Sequence, residues 1–274
     1  MTHAKFAIGA ALAGAFILGA LAVGFSSAQP EPAISKPPQH LPDTSFSNSQ
    51  EEEIGEIVRA YLMENPEVII EAVNEYSSRQ RYAAEERMRQ VAAENLSFLL
   101  DPETGYVGGK NPAKAKVAVI EMFDYHCSFC KHASSLVKDI TKKDAGVKVA
   151  FRELPILREE SGYAAEMSLA ARDQGKFLDL HFAMMGASGV LTKERVQDFA
   201  RKQGLDVKKM EAAIQNGKIS SAIESNQAIA AEMGAEGTPV FIIASLNGDY
   251  VEVINGYRPE EIRTMIKEAK KAAG

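Results

Sequence analysis

The chain has two cysteines in 274 residues, Cys127 and Cys130, and they stand three apart. Two thiols at i and i+3 on one helical turn can meet, so they can close and reopen a disulfide. They lie in the stretch Phe123-Asp124-Tyr125-His126-Cys127-Ser128-Phe129-Cys130-Lys131-His132. The apolar run Val117 to Phe123 precedes the pair, and a helix-like run from Lys131 to Lys143 follows it. A thiol at a helix start meets unpaired N–H groups and partial positive charge, both of which favour the thiolate. Such settings bring a cysteine pKa from about 8.5 to between about 3.5 and 7.5. Stabilising the thiolate stabilises the reduced pair and makes the disulfide more oxidising.

From this geometry Cys127 is expected as the outer, exposed sulfur and the nucleophile, and Cys130 as the resolving thiol one turn in. His126 is expected to support the thiolate if protonated, whereas His132 reads as exposed and incidental. Two other readings compete. A structural staple is one, but a bridge across two residues restrains little of the unfolded chain. A copper or zinc site made from His126, Cys127, Cys130 and His132 is the other. It would crowd four ligands into seven residues, so no metal is expected as the primary function.

The elements that must position the pair can be read in order. Residues 1–28 read as an export signal, with Lys5 before an apolar run at 6–25 and small residues at Ser26-Ser27-Ala28. The run is long enough to act alternatively as a retained anchor. Residues 29–49 form a Pro-rich tether. Residues 50–100 read as a helical arm. Ile54, Ile57, Val58, Tyr61 and Leu62 share one helix face, and Asn65-Pro66 is read as the N-cap and first residue of a second helix. The apolar face of 50–76 makes self-association through this segment the expectation. Residues 101–116 are turn-rich and read as a connection.

Residues 101–274 read as one domain. Val117 to Phe123, the helix 128–143 and Val147 to Leu154 make a βαβ unit with parallel strands. A helical insert is expected over about 158–235, with Thr192 and Asp206 as N-caps. Two strands joined at Asn247-Gly248 and a last helix from Pro259 complete it. The composition is 46% hydrophobic with a net charge of -6, which gives no footprint for nucleic-acid binding.

A hydrophobic strand, Cys-x-x-Cys at a helix start, a helical insert and a late Thr238-Pro239 together resemble the DsbA-like branch of the thioredoxin superfamily. The arm and the segment Phe151 to Leu157 are similar to ScsC-type members. The resemblance implies an α/β thioredoxin fold with an all-helical insert and an N-terminal helical arm. It implies that Cys127 and Cys130 are the redox pair, that no cofactor beyond this disulfide is needed, and that Thr238-Pro239 is the substrate-facing cis-proline loop. It also implies that Glu121 is the buried acid beneath the site, able to relay the Cys130 proton. The strongest oxidants of the branch carry Pro-His between the cysteines, whereas this chain has Ser128-Phe129. A weaker oxidant follows, suited to isomerising or reducing disulfides if oligomeric. The implied partners are unfolded or misfolded exported proteins and a membrane redox partner, in a periplasmic or other extracytoplasmic setting. The link of ScsC-type proteins to copper tolerance keeps copper binding by the same pair as the alternative.

Overall fold

The computed structural model describes residues 45–274. The signal or anchor at 1–28 and all of the tether before residue 45 lie outside the described residues. By its internal contacts the chain divides into two units, 1–66 and 67–274. In the first, helix α1 (Asn48–Glu64) is opened by a capping box between Ser47 and Gln50. None of its residues is buried, and Ile57, Val58, Tyr61 and Met63 are all at least half exposed. Asn65 does not start the next helix. Its N–H and its side-chain amide both donate to the Tyr61 carbonyl, which makes it the cap that ends α1.

The second unit opens with a 28-residue helix, α2 (Glu67–Glu94), and a short turn of helix, α3 (Leu96–Leu99). The first half of α2 exposes Ile69, Ile70, Val73 and Tyr76. Its last turns bury Met88, Val91 and Ala92. The expected boundary at residue 100 therefore falls too late, because residues 88–99 pack into the domain core. The polar stretch 77–87 hides this: the helix crosses solvent before its apolar positions return.

A five-stranded sheet follows, in the order β1 (Tyr106–Gly108), β3 (Val147–Glu153), β2 (Val117–Phe123), β4 (Val240–Ser245), β5 (Val251–Asn255). β2 and β3 are parallel and every other pairing is antiparallel. β2 is buried at every position, as a central strand covered on both faces must be, and its sequence is correspondingly an apolar run broken only by Glu121. β1 lies in the stretch read as a connection. Its three residues are too few to carry a periodic signal.

Alternation along β2 sends Val117, Val119 and Phe123 to one face and Ala118, Ile120 and Met122 to the other. The first face is covered by α4 (Ser128–Lys143), α10 (Pro259–Ala272) and much of the helical insert. The second is covered by the end of α2, α3 and the end of α9 (Lys218–Met233). The insert between β3 and β4 comprises α5 (Glu159–Ala170), a 3-10 turn at Ala171–Gln174, α6 (Phe177–Met185), α7 (Lys193–Lys202), α8 (Val207–Ile214) and α9. Thr192 and Asp206 cap α7 and α8 through the N–H groups of Arg195 and Lys209. Among the described residues no helix is long and apolar enough to cross a membrane.

The loop after α3 is fastened by two buried or half-buried cations. Arg152 donates to the carbonyls of Leu99 and Asp101 and to the Thr104 hydroxyl. Arg172 donates to the carbonyls of Pro102, Glu103 and Gly105. A Cβ at Gly105 would stand 2.4 Å from the Phe151 carbonyl, so only glycine lets the loop lie this close to β3.

Candidate active site

β2 ends at Phe123, and four residues later Cys127 is the N-cap of α4, with extended backbone angles. Its sulfur takes the place usually held by a Ser or Asp oxygen: it accepts the Cys130 N–H at 3.2 Å. The cap position aims the sulfur at the unpaired N–H groups of the helix start. The two cysteines are unbonded in this structure.

Cys127 is 4% exposed, so the expected exposed sulfur is corrected. The reason is the segment before β4. The Thr238–Pro239 peptide is cis, and the Thr238 carbonyl accepts from the Cys127 thiol at 3.1 Å. The Thr238 hydroxyl is buried and has no partner among the described residues. The Pro239 carbonyl accepts from Gly256 N–H, which ties this segment to the end of β5. Cys130 is fully buried.

The two thiols are driven apart in acidity. A hydrogen bond from Cys130 is the largest influence on Cys127; the N–H groups of Cys130 and Phe129 add to it against the opposing effect of burial, and its pKa falls from 9.0 to about 6. Burial, then the hydrogen bond to Cys127 and the charge of Glu121, push Cys130 far above the ordinary thiol range. Ser128 and Phe129 are both exposed, Phe129 to 60%, and Phe129 acts on the sulfur through its backbone.

Glu121 lies on β2, on the same face as Phe123, and is 1% exposed. One of its oxygens has no hydrogen-bond partner among the described residues. Burial, and secondarily the negative charge of Cys127, raise its pKa from 4.5 to about 8. The site thus gathers Cys127, Cys130, Glu121 and Thr238-Pro239.

It does not gather the histidines. His126 turns away into the insert. Its Nε2 accepts the Leu191 N–H at 2.9 Å, so in the neutral ring Nδ1 carries the proton and donates to Ser161 Oγ at 2.8 Å. Burial lowers its pKa, and a proton on Nε2 would face the Leu191 donor. The expected protonated support for the thiolate is therefore corrected: His126 is a neutral tether. His132 is exposed on α4. The two ring nitrogens of His126 are occupied, so the four-ligand metal cluster does not assemble, and among the described residues no group of three or more His, Cys, Asp or Glu is placed to hold a metal ion.

Residue-by-residue reading passed over three features. Asp124 accepts four hydrogen bonds, from the N–H groups of His126, Ile156 and Leu157 and from Ser161 Oγ, all within 3.0 Å. It fixes the loop carrying Cys127 to the segment after β3. Beside it, Tyr125 joins Glu153, Ser168 and His181 in a buried cluster. The charged Arg152-Glu153 pair closing a strand whose only other charge is Lys148 was the available signal for the second feature. Lys131 and Arg158, which flank the site, gave none.

Residues 118–267 match the family model described as a DSBA-like thioredoxin domain. The chain belongs to this DsbA-like thioredoxin family. Residues 50–83 match a second model, the copper resistance protein ScsC N-terminal domain. Among solved structures, Salmonella enterica Typhimurium BcfH is 30% identical with a TM-score of 0.68, over 81% of this chain and 96% of that one. A thioredoxin-like oxidoreductase from Silicibacter pomeroyi is 33% identical with a TM-score of 0.56, over 62% of this chain and 94% of that one. The thiol-disulfide exchange protein alpha-DsbA2 from Wolbachia pipientis is 25% identical with a TM-score of 0.59, over 68% and 97%. Curated relatives include the Na(+)/H(+) antiporters NhaA 1 of Salinispora arenicola and NhaA of Herminiimonas arsenicoxydans, 26% and 30% identical over 54% and 55% of this chain. These matches cover 23% and 24% of the antiporters, so the chain spans about a quarter of the length of the curated relatives it matches.

Proposed function

We propose that this chain is an exported thiol–disulfide oxidoreductase acting through Cys127 and Cys130. The observation that carries the reading is the split in thiol acidity: a sulfur poised near pH 6 caps the helix that buries its high-pKa partner. The Cys127 thiolate attacks a substrate disulfide. One S–S bond breaks, a mixed disulfide forms, and a substrate thiolate leaves. Cys130 then gives its proton to the Glu121 carboxylate and attacks Cys127 Sγ, releasing the second substrate thiol. The substrate gains two electrons and the pair becomes a disulfide. The reverse sequence oxidises a dithiol. A carboxyl with a pKa of about 8 can both accept and return that proton near neutrality.

The segment leading into Pro239, with Glu236 exposed and Gly237 and Thr238 half-buried, suits pairing with an extended substrate chain, and exposed Phe129, Ile156 and Leu157 offer it apolar contact. Unfolded or misfolded exported proteins are the substrates, and a membrane redox partner resets the pair. One relative with 26% identity and a TM-score of 0.51 is described as a periplasmic thioredoxin-like protein from Salmonella, which supports an extracytoplasmic setting. The exposed apolar residues of 50–76 support self-association, and several Cys127 sites in one assembly favour isomerase or reductase work over dedicated oxidation.

The test is a Cys130→Ser variant offered a scrambled, wrongly bridged protein. A trapped mixed disulfide at Cys127, absent in Cys127→Ser, supports the exchange reading, and absence of any adduct sinks it. Recovery of substrate activity by the wild-type chain, lost together with oligomeric mass in Ile57→Glu/Val73→Glu, supports the isomerase reading. Oxidation of a reduced substrate without such recovery assigns the chain to oxidation.

A further inference from the structure

A cleft of about 280 Å³ opens beside Cys127, between the loop that carries it and residues 187–190 of the insert. Its walls include His126, Ser128, Lys131 and Arg158. Lys131 and Arg158 have no acidic partner within ion-pair distance among the described residues. A third cation, Arg195, braces the loop from behind, donating to the carbonyls of Ser188 (2.6 Å) and Val190 (2.9 Å). Lys131 donates to the Ala187 carbonyl at 2.5 Å. The carbonyls of Ala187, Ser188 and Val190, which would repel an anion, are thereby engaged. The N–H groups of Ser188, Gly189 and Val190 have no acceptor among the described residues.

The cations also press on one another. Burial and then Arg195 lower the Lys131 pKa, and Lys131 and Arg158 both oppose a charge on His126. Two carboxylates face the region. Asp124 is committed to four hydrogen bonds, and Glu160 acts on His126 from α5. Neither reaches Lys131 or Arg158 within 4.0 Å. A basic cleft with spare donors and no counter-ion, next to a nucleophilic sulfur, is built to receive an anion that arrives with the substrate.

We propose that this cleft binds a carboxylate carried close to the substrate's reacting sulfur, and so selects cysteines with an acidic neighbour. The inference rests on the exchange reading above and names its preferred substrate class. The carboxylate can come from an Asp or Glu beside a polypeptide cysteine or from a small acidic thiol such as glutathione. The chemistry is unchanged: Cys127 Sγ attacks the substrate disulfide, one S–S bond replaces another, and the departing thiolate takes up a proton from solvent. Lys131 and Arg158 hold the carboxylate and take no part in bond making.

The full reduced chain is mixed with four probes in a rapid-mixing experiment: a peptide disulfide with Glu beside cysteine, the same peptide with Gln, glutathione disulfide, and its neutral ester. The acidic peptide is expected to react about five- to tenfold faster than its amide, the scale of an exposed charge-assisted contact. Arg158→Gln is the key variant, because the Arg158 side chain is exposed and makes no hydrogen bond among the described residues, so its loss removes charge and little else. The readout is the ratio of acidic to neutral rates, in which any general loss of activity cancels. That ratio is expected to fall towards about two in Arg158→Gln and to shrink with added salt. Preference for acidic peptide alone identifies a polypeptide side chain as the source, and equal preference for glutathione disulfide over its ester extends the site to small acidic thiols. Equal rates for acid and amide, or a ratio unchanged in both Arg158→Gln and Lys131→Gln, overturn the inference while exchange itself stands. No exchange with any probe overturns both.

Discussion

Two buried glutamates stand on neighbouring parallel strands and face the same layer, yet they are built for different work. Glu121 on β2 is opposite Phe151, and Glu153 on β3 is opposite Phe123. Each is 1% exposed and each has its pKa raised, chiefly by burial. Glu153 belongs to a cluster whose hub is Tyr125 Oη, at 3.3 Å from its carboxyl, 2.6 Å from Ser168 Oγ and 3.0 Å from His181 Nδ1. His181 in that cluster is held neutral, its pKa pushed down to about 3 by burial. Each acid has one buried oxygen with no partner among the described residues, but the charge that acts on Glu121 is that of Cys127, and Glu121 in turn acts on Cys130. A buried acid hydrogen-bonded to Tyr125 joins strand and loop. One coupled to the thiol pair through charge is the proton station we propose.

The largest expected effect is on the structural member. Glu153→Ala opens a cavity and removes one of the three partners of Tyr125, and should lower unfolding stability by about 3 kcal/mol, measured by urea denaturation of the reduced chain. Exchange by the folded fraction should change little. Next is Glu121→Gln, which keeps the shape and removes the titration. It should slow closure of the Cys127–Cys130 disulfide by about thirtyfold, read by quenched-flow trapping of the mixed disulfide. If Glu153→Ala slows that step and Glu121→Gln does not, the assignment of the two acids is reversed.

A smaller effect appears in stability against pH. The folded chain holds the Glu121 proton up to about pH 8, whereas the unfolded chain releases it near 4.5, so this contribution is complete below 4.5 and lost as pH rises to 8. Cys127 works in the opposite sense: with a folded pKa of about 6 against 9.0, its contribution is present above 9 and lost as pH falls to 6. Between those limits the two slopes oppose each other, while Glu153, also raised, adds a loss with rising pH common to both chains. From pH 6 to 8 the stability of Glu121→Gln relative to the wild type should therefore rise by up to about 1.4 kcal/mol per pH unit. The smallest effect is on Cys127 itself. Its alkylation midpoint should stay near pH 6 in Glu121→Gln, because the hydrogen bond from the Cys130 thiol and the cap N–H groups that set it are intact. A midpoint moved to the ordinary thiol range would show that Glu121, and not the helix start, governs the sulfur.

Local signals carried much of the fold. Thr192 and Asp206 announced their helices because a cap is a contact between residues three apart, and Cys-x-x-Cys marked the start of α4 for the same reason. What stayed hidden was made by long-range contact. Tyr125 meets Glu153, Ser168 and His181 across 28, 43 and 56 positions, so no local spacing reveals the cluster. The burial of Cys127 depends on a carbonyl 111 residues away. His126 stands beside Cys127 in sequence, but its ring direction is set by Leu191. The end of α2 reads as part of the arm because its polar middle separates the buried positions Met88, Val91 and Ala92 from the apolar positions before residue 77.

That helix has a further consequence. α2 is one continuous hydrogen-bonded ladder whose last turns are locked in the core and whose first turns are bathed in water. Amide exchange along it should therefore be graded, slow at Val91 and progressively faster towards Glu67, with no sharp step. The exposed turns grow from a nucleus the domain has already formed, so they escape the initiation cost that makes an isolated peptide of this length marginal. Ile69, Ile70, Val73 and Tyr76 are consequently displayed as an ordered stripe, and a partner docking there would surrender less chain entropy than one that had to fold the segment first.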